Sequence, residues 1–205
     1  MLMFHCLQDN FKRALDREGV EVQIGGTSKT VLFRRQRNGQ DSADWVDVYS
    51  ATEDNLRPGN ILTTGADNYL LVQRDHRENG VYLRYNAVRC NQTISLTREM
   101  KSPVPDEWGD YPTITVNYFT SPAYLATQLT GLNKTAIGNV IGGNMVVIMP
   151  GVEITPNAVL QCNTFDNEGK FTACDYQIES IDSTDVFTDN EGSIHGILRL
   201  QIKPE

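Results

Sequence analysis

Short segments in which apolar and polar residues alternate, separated by turn residues, run through most of the chain. VEVQI at Val20 to Ile24 is one such segment, and WVDVYSA at Trp45 to Ala51 is another. Because side chains of a strand point alternately to its two faces, each segment is suited to bury one face and solvate the other. Up to residue 98 these segments recur at a spacing of roughly 8–12 residues, which is typical of a small barrel or sandwich. The pattern therefore predicts a mainly β fold.

One helix is predicted, at the start of the chain. Asp9 or Asn10 is placed to cap the segment FKRALDREG, which Gly19 then ends. Six or seven strand patterns follow before residue 100. We therefore predict that residues 1–100 form a small β-barrel with an N-terminal helix.

The period-two pattern is interrupted at residues 101–112, where KSPVPDEWGDYP holds three prolines and no periodicity. This segment is predicted to be a linker between two domains. Residues 113–205 are predicted to form a second, acidic, β-rich domain that is sandwich-like. Within it SPAYLATQLTG is predicted to be a short helix with Pro122 in its first turn, and the apolar run Met145 to Met149 a buried strand.

Charge is distributed unequally along the chain. The net charge is −8, and all of it belongs to the second half. Residues 1–100 hold 13 basic and 13 acidic side chains, whereas residues 101–205 hold 5 basic and 13 acidic ones. The cations of the first half are mostly arginines, which are favoured where protein surfaces meet. The acidic half would repel nucleic acid, so sequence-specific DNA binding is not expected.

The residues that usually carry catalysis or metal binding are scattered. The three histidines, His5, His76 and His195, stand apart from one another, and no GxSxG motif is present. The glycine-rich segments GGTSKT and IGNVIGG lack the spacing of phosphate-binding loops. We therefore predict no catalytic residue, no metal site, no cofactor and no enzymatic activity.

Acidic residues of the second half leave two alternatives open. Asp182 and Asp185 are the best candidates for the carboxylate pair of a hydrolase. The motif DNEG occurs at 166–169 and again at 189–192; it is typical of polar hairpin turns, and weak calcium binding there is the alternative. Separately, Cys162 and Cys174 flank a predicted hairpin and could face each other across two strands, while the default for the four cysteines is a free thiol.

One segment, residues 56–98, carries a resemblance to a known family. Its features are the turn and strand start at Pro58 to Ile61, the strand Tyr69 to Val72, and the asparagine-containing end of a returning hairpin at Arg89 to Asn91. With these features the segment resembles the core of the head-closure proteins of tailed bacteriophages, also called stoppers or head–tail connector proteins. The resemblance extends loosely over residues 10–100. It does not cover the second domain.

The resemblance implies a structural protein of the virion, made in the host cytoplasm. Such proteins form a homo-oligomeric ring beneath the portal and adaptor, close the DNA channel after packaging, and present a surface to the tail. DNA would only pass through the channel, and no membrane is involved. Two loops are candidates for the subunit interface or the lumen, the arginine-bearing loop after the second strand and the glycine-rich loop within Gly131 to Asn144. Their candidate residues are Arg34, Arg35, Arg37, Asp41, Asp44, Asn133, Lys134, Asn139 and Asn144.

Two further functions are compatible with the sequence. One is a different structural role in a phage tail or baseplate. The other is a β-rich carbohydrate-binding or adhesion module, for which an exposed aromatic platform of Trp108, Tyr111, Tyr118 and Tyr124 is the expected mark. A secretory signal is not expected, because the first residues lack a basic region followed by a long apolar stretch.

Overall fold

The computed structural model describes residues 2–35, 44–65, 67–75, 80–126, 145–165 and 170–204. The chain is mainly β, as predicted, with one α-helix and one short 3-10 helix at Thr52–Asp54. The helix is α1 (Leu2–Glu18), and the strands are β1 (Val20–Ile24), β2 (Thr27–Arg35), β3 (Trp45–Ser50), β4 (Ile61–Thr64), β5 (Asp67–Arg74), β6 (Leu83–Arg89), β7 (Gln92–Lys101), β8 (Thr113–Ala126), β9 (Met145–Pro150), β10 (Val159–Phe165), β11 (Phe171–Asp182), β12 (Val186–Thr188) and β13 (Ile194–Pro204).

The first six strands form a closed barrel in the order β1-β2-β3-β6-β5-β4. Closure occurs where Gln23 of β1 pairs with Thr63 of β4. Alternate side chains of these strands fill the interior, which is why the sequence shows a period of two. The hydroxyl of Tyr85, fully buried in this interior, donates a hydrogen bond of 2.6 Å to the carbonyl of Leu56.

The remaining strands form a second sheet in the order β11-β10-β7-β8-β9-β13-β12. An additional pairing of β11 with β13 closes six of these strands into another barrel, so this domain is not sandwich-like. The long strand β13 makes closure possible. It pairs with β9 along one edge, and with β12 and then β11 along the other.

The division between the two barrels lies at Cys90 and Asn91, before β7, and not at residues 101–112. Strand β7 hydrogen-bonds to β8 over its whole length, from Gln92 to Lys101. Residues 101–112 thus connect two neighbouring strands of the second barrel. Their prolines mark the end of a hairpin, which a composition break cannot distinguish from a linker between domains.

Helix α1 ends where predicted but begins earlier. The amide of Gly19 donates to the carbonyl of Leu15 at 2.9 Å, closing the last turn. Asp9 and Asn10 lie inside the helix rather than at a cap, because the helix begins at Leu2. The helix packs on β2, and the ring of Phe11 lies 5.2 Å from that of Tyr82. Within the described residues, no helix has the length and apolar character needed to span a bilayer.

The predicted helix around Pro122 is wrong, because this proline lies within strand β8. Pro122 is aligned with Thr93 of β7 on one side. The other neighbour, β9, pairs with β8 only from Tyr124 onward. A proline is tolerated there because a strand edge without a ladder does not require its missing N–H.

Candidate interaction site between and beside the two barrels

Three of the predicted site residues lie together at one end of the first barrel. Arg34 and Arg35 are the last residues of β2, and Asp44 immediately precedes β3, its antiparallel neighbour. The guanidinium of Arg34 donates a hydrogen bond to the carboxylate of Glu18 in α1, and Arg35 is exposed. Asp44 accepts a hydrogen bond of 3.0 Å from Nη2 of Arg89, and hydrogen bonding to Asp44 raises the pKa of Arg89.

The other predicted site residues lie outside the described residues. They are Arg37, Asp41, Asn133, Lys134, Asn139 and Asn144. The interface or lumen role assigned to them stays a prediction.

A third apolar cluster lies between the two barrels, in addition to the interior of each. Its buried members come from strands β5 and β6 of the first barrel and β8, β9 and β13 of the second. Its buried members are Leu70, Val72, Val88, Tyr124, Ala126, Val146, Ile148 and Ile197, and Trp45, Ile61 and Cys90 pack against them. We refer to these residues as the inter-barrel core.

Strands that border the inter-barrel core are buried on both faces. In β9, Val146 and Ile148 belong to the inter-barrel core, whereas Val147 and Met149 face the interior of the second barrel. This explains the continuous apolar run Met145 to Met149, which was correctly predicted to be a buried strand. A strand covered on both sides loses the alternation of polar and apolar residues.

Backbone segments of the two barrels also meet directly at Gly196. The amide of Gly196 donates to the carbonyl of Pro58 at 3.1 Å, and its carbonyl accepts from the amide of Gly151 at 2.8 Å. A Cβ atom at Gly59 would lie 2.1 Å from the carbonyl oxygen of Gly196, and one at Gly196 would lie 1.8 Å from that of Asp185. The φ angles of Gly59 and Gly196 are +91° and +97°. Both positions therefore require glycine.

A polar cluster lies beside this backbone contact and joins the same segments. Nε2 of His195 lies 2.7 Å from Oδ2 of Asp189 and 3.3 Å from Nη1 of Arg57. Arg57 belongs to the first barrel, and the other two residues belong to the second. Nη1 of Arg57 is 4.0 Å from the same carboxylate oxygen. The cluster thus adds a charged contact at the edge of the barrel junction.

The junction was missed by the sequence analysis. Pro58 and Gly59 were interpreted as an ordinary turn, and His195 as an isolated histidine. The two glycines, Gly59 and Gly196, were the available signal of a close backbone contact. Glycine also occurs in turns and strands for many local reasons, so it does not by itself indicate such a contact. Only the folded chain reveals that the two touch.

The carboxylates proposed for hydrolysis are engaged in structural contacts. Nη1 and Nη2 of Arg199 lie 3.4 Å from Asp182 and 2.5 Å from Asp185, respectively. Asp182 also accepts hydrogen bonds from the hydroxyl and the amide of Thr184, and these bonds are the main reason that its pKa is lowered. A carboxylate held in its charged form is poorly suited to act as a general acid. Across the part of the chain that the structure describes, no group of three or more His, Cys, Asp or Glu side chains could hold a metal ion.

The second DNEG motif forms a polar turn, as predicted. Asp189 accepts hydrogen bonds from the amides of Glu191 and Ser193 at 3.0 and 2.9 Å, and Gly192 has a φ of +83°. The first DNEG motif, at 166–169, lies outside the described residues. The carboxylate of Asp189 is thereby used to order its own turn and to bind His195.

Cys162 and Cys174 are directly opposite each other on β10 and β11, so the facing arrangement is confirmed. Both are free thiols in the structure. Burial raises the pKa of Cys162 to about 11, and burial also raises that of Cys90 to about 12. Neither of these two thiols is a reactive nucleophile near neutral pH.

The four aromatic residues proposed as a carbohydrate platform have different environments. Tyr124 is buried in the inter-barrel core, and Tyr118 packs against the interior cluster of the second barrel, beneath the guanidinium of Arg98. Trp108 and Tyr111 are exposed in the connection between β7 and β8. A single surface of four aromatic rings is therefore not formed.

The bonds to Asp189 predict a specific dependence of stability on pH. Hydrogen bonding by His195, followed by the amide of Ser193, lowers the pKa of Asp189 below its ordinary value of 3.8. Folding therefore favours the carboxylate, and this stabilisation is present above pH 3.8 and lost as the pH falls through the lowered pKa. In urea denaturation, we expect the Asp189→Asn variant to be less stable than the wild type at pH 6, with a smaller difference at pH 3.

Glu191→Gln is the matched control, because it removes one negative charge from the same turn and its side chain is exposed. This variant should keep the pH profile of the wild type. A gap between the wild type and Asp189→Asn that stays constant from pH 6 to pH 3 would contradict the assignment.

No protein-family model matches the chain, and no curated protein matches it. Among solved structures, MrkH of K. pneumonia is matched with 12% sequence identity over 98% of this chain and 85% of the MrkH chain, at a TM-score of 0.17. A likeness at that TM-score carries no argument about fold or function.

Proposed function

We propose that this chain is a structural protein of a tailed-phage neck, which forms a ring that closes the DNA channel of the head and joins the head to the tail. The proposal rests on the resemblance of residues 56–98 to head-closure proteins. The localisation in the virion, the ring and the portal, adaptor and tail partners are part of the same proposal.

The observation that carries the proposal is the architecture around the resembling segment. Strands β4, β5 and β6 all belong to that segment, and they are half of a closed six-stranded barrel preceded by helix α1. The resemblance implies this combination of helix and small barrel. The last part of the segment, in β7, continues into the second barrel.

The charge distribution is also what a channel protein of this kind would need. The division at Cys90 and Asn91 separates a first barrel with no net charge from a second barrel that carries the whole −8. An acidic surface repels the phosphate backbone, so DNA could slide past it without adhering. In the proposed ring the second barrel would supply this non-adhesive surface.

The junction of the barrels supports a mechanical role. A shared apolar core, a backbone contact at Gly196 and the charged cluster of Arg57, Asp189 and His195 hold the two barrels together. A large apolar interface disfavours relative motion of domains. A ring subunit that closes a pressurised channel has to transmit force in this way.

The proposal predicts the phenotype of phage particles that lack the chain. Without the ring, packaged heads should lose their DNA and fail to join tails, and supplying the wild-type chain in trans should restore complete particles. Electron microscopy of the lysate and cryo-electron microscopy of complete particles, in search of ring density below the portal, are the measurements. Normal tailed, infectious particles formed without the chain would refute the proposal.

A further inference from the structure

The hairpin of β7 and β8 extends beyond the barrel that contains it. Strand β10 pairs with β7 only at residues 94–97, and β9 pairs with β8 only at 124–126. Residues 98–101 and 113–116 pair with each other and, among the described residues, with no third strand. We call residues 98–116 the projecting ribbon.

The two faces of the projecting ribbon differ in polarity. Residues directly opposite each other in an antiparallel pair share a face. Met100 is aligned with Ile114 and Arg98 with Val116, so one face carries three apolar side chains and one arginine. The other face carries Glu99, Lys101, Thr113 and Thr115. A ribbon with one mostly apolar face has the pattern of a strand pair that is covered on one side.

The tip of the ribbon has a defined conformation. Oδ1 of Asp106 accepts hydrogen bonds from the amides of Trp108 and Asp110, each at 2.9 Å. The amide of Asp106 donates to the carbonyl of Asp110 at 2.7 Å, and Gly109 has a φ of +84°. The amide of Ser102 donates to the carbonyl of Pro112 at 2.8 Å and closes the base of the tip. These bonds fix the direction in which the tip presents its side chains.

The tip presents large apolar side chains and negative charge to solvent. Trp108 is 88% exposed and Tyr111 is 54% exposed. Residues 102–112 carry three acidic side chains and no basic one. A two-stranded ribbon by itself is marginally stable in water, and ordered, exposed aromatic side chains are enriched where proteins bind one another. The projecting ribbon therefore has the properties of a docking element.

A surface of complementary charge and polarity lies on the first barrel of the same chain. It is formed by the second half of α1 and the end of β2, which the ion pair of Glu18 with Arg34 holds together. Four basic side chains and two acidic ones belong to it, namely Lys12, Arg13, Arg17 and Arg34 with Asp16 and Glu18. We call this the α1–β2 face. The described side chains of α1, from Cys6 onward, include none that is fully buried, and Leu7 is 49% exposed.

We propose that the projecting ribbon of one copy docks on the α1–β2 face of a neighbouring copy. The tip carries three net negative charges and the α1–β2 face carries two net positive ones. An arginine beside an aromatic ring and a carboxylate gains both cation–π and ionic contacts. Because the two surfaces differ, the contact is head-to-tail, and head-to-tail contacts close into rings when the rotation permits. Ring closure rests on the proposed function, whereas the contact itself does not.

Removal of the aromatic side chains at the tip tests the contact. Sedimentation velocity of the purified chain over a concentration series should show self-association, and Trp108→Ser/Tyr111→Ser should weaken it by at least about tenfold, as expected for central aromatic anchors. Ile181→Ser is the matched control, because Ile181 is 47% exposed on the same barrel, in strand β11, which pairs with neither strand of the ribbon. A wild-type chain that remains monomeric at its highest soluble concentration, or an Ile181→Ser variant as impaired as the tip variant, overturns the inference.

Charge reversal identifies the second surface. Glu107→Lys/Asp110→Lys reverses the tip and preserves Asp106, which orders the turn, and Arg13→Glu/Arg17→Glu reverses the face. Each variant alone should be monomeric at concentrations where the wild type associates, and an equimolar mixture should associate again. A mixture that stays monomeric would exclude the α1–β2 face, and would leave a glycan or another virion protein as the ribbon's partner.

The two proposals fail separately. Suppose that the mixture associates again and that normal tailed particles form in the absence of the chain. This result would refute the neck function and support the contact between copies. Suppose instead that particles lose their DNA without the chain and that the ribbon variants associate like the wild type. This result would support the neck function and refute the contact between copies.

Discussion

Replacement of Gly196 by alanine is expected to destabilise the chain by at least about 3 kcal/mol, because two penalties coincide at this position. The φ of Gly196 is +97°, a conformation that side chains rarely adopt. A Cβ atom there would lie 1.8 Å from the carbonyl oxygen of Asp185, and backbone cannot move away as a side chain can. The shift would also disturb the hydrogen bond from Gly196 to Pro58, which connects the barrels. Chemical denaturation of the purified variant is the measurement, and the soluble yield shows whether the variant folds.

Gly192→Ala provides the control for backbone strain alone. Gly192 has a φ of +83°, similar to that of Gly196, and a Cβ atom there meets nothing within 4 Å. This variant should lose only about 1 kcal/mol. Equal losses for the two variants would contradict the close approach of the Asp185 carbonyl to Gly196.

The second large effect is expected at the inter-barrel core. Ile148 is fully buried on the face of β9 that points toward the first barrel. Truncation of such a side chain removes apolar contacts and leaves a cavity, so Ile148→Ala should cost about 2–5 kcal/mol. Urea or guanidinium denaturation measures this cost.

Ile181→Ala is the matched control for Ile148→Ala. Ile181 belongs to strand β11 of the same barrel and is 47% exposed. Its truncation should change the free energy of unfolding by less than about 0.5 kcal/mol. If the two variants were equally stable, the two barrels would not share a core.

The shared core also makes the barrels thermodynamically dependent on each other. Leu70 contributes from the first barrel and Ile148 from the second. Each barrel buries apolar side chains that would be exposed if the other unfolded. The junction is therefore a part of the stability of both barrels, in addition to their separate interiors.

Several elements of the fold were readable from local sequence. The alternation at Val20 to Ile24 and Trp45 to Ala51 identified strands β1 and β3, since a half-buried strand leaves a period of two in the sequence. Gly19 correctly marked the end of α1, and the apolar run Met145 to Met149 a buried strand. The turn at Asp189 to Gly192 was recognised from its polar composition.

Other local signals were misleading because two structures share them. Pro122 suits the first turn of a helix, but it equally suits a strand edge without a partner, and the sequence around it did not distinguish the two. The prolines of residues 101–112 suggested a linker between domains, but this segment connects β7 to β8 within the second barrel. Asp9 and Asn10 are common caps, yet α1 continues through both of them.

By itself the sequence determined the mainly β character, the positions of many strands and the charge difference between the two halves. These properties depend on neighbouring residues or on composition. Tertiary structure alone decided where one barrel ends and the next begins, which strands are buried on both faces, and which glycines meet. Each of these depends on contacts between residues far apart in the chain, such as Gly59 and Gly196, and a strand's sequence does not specify which distant strand or backbone it will lie against.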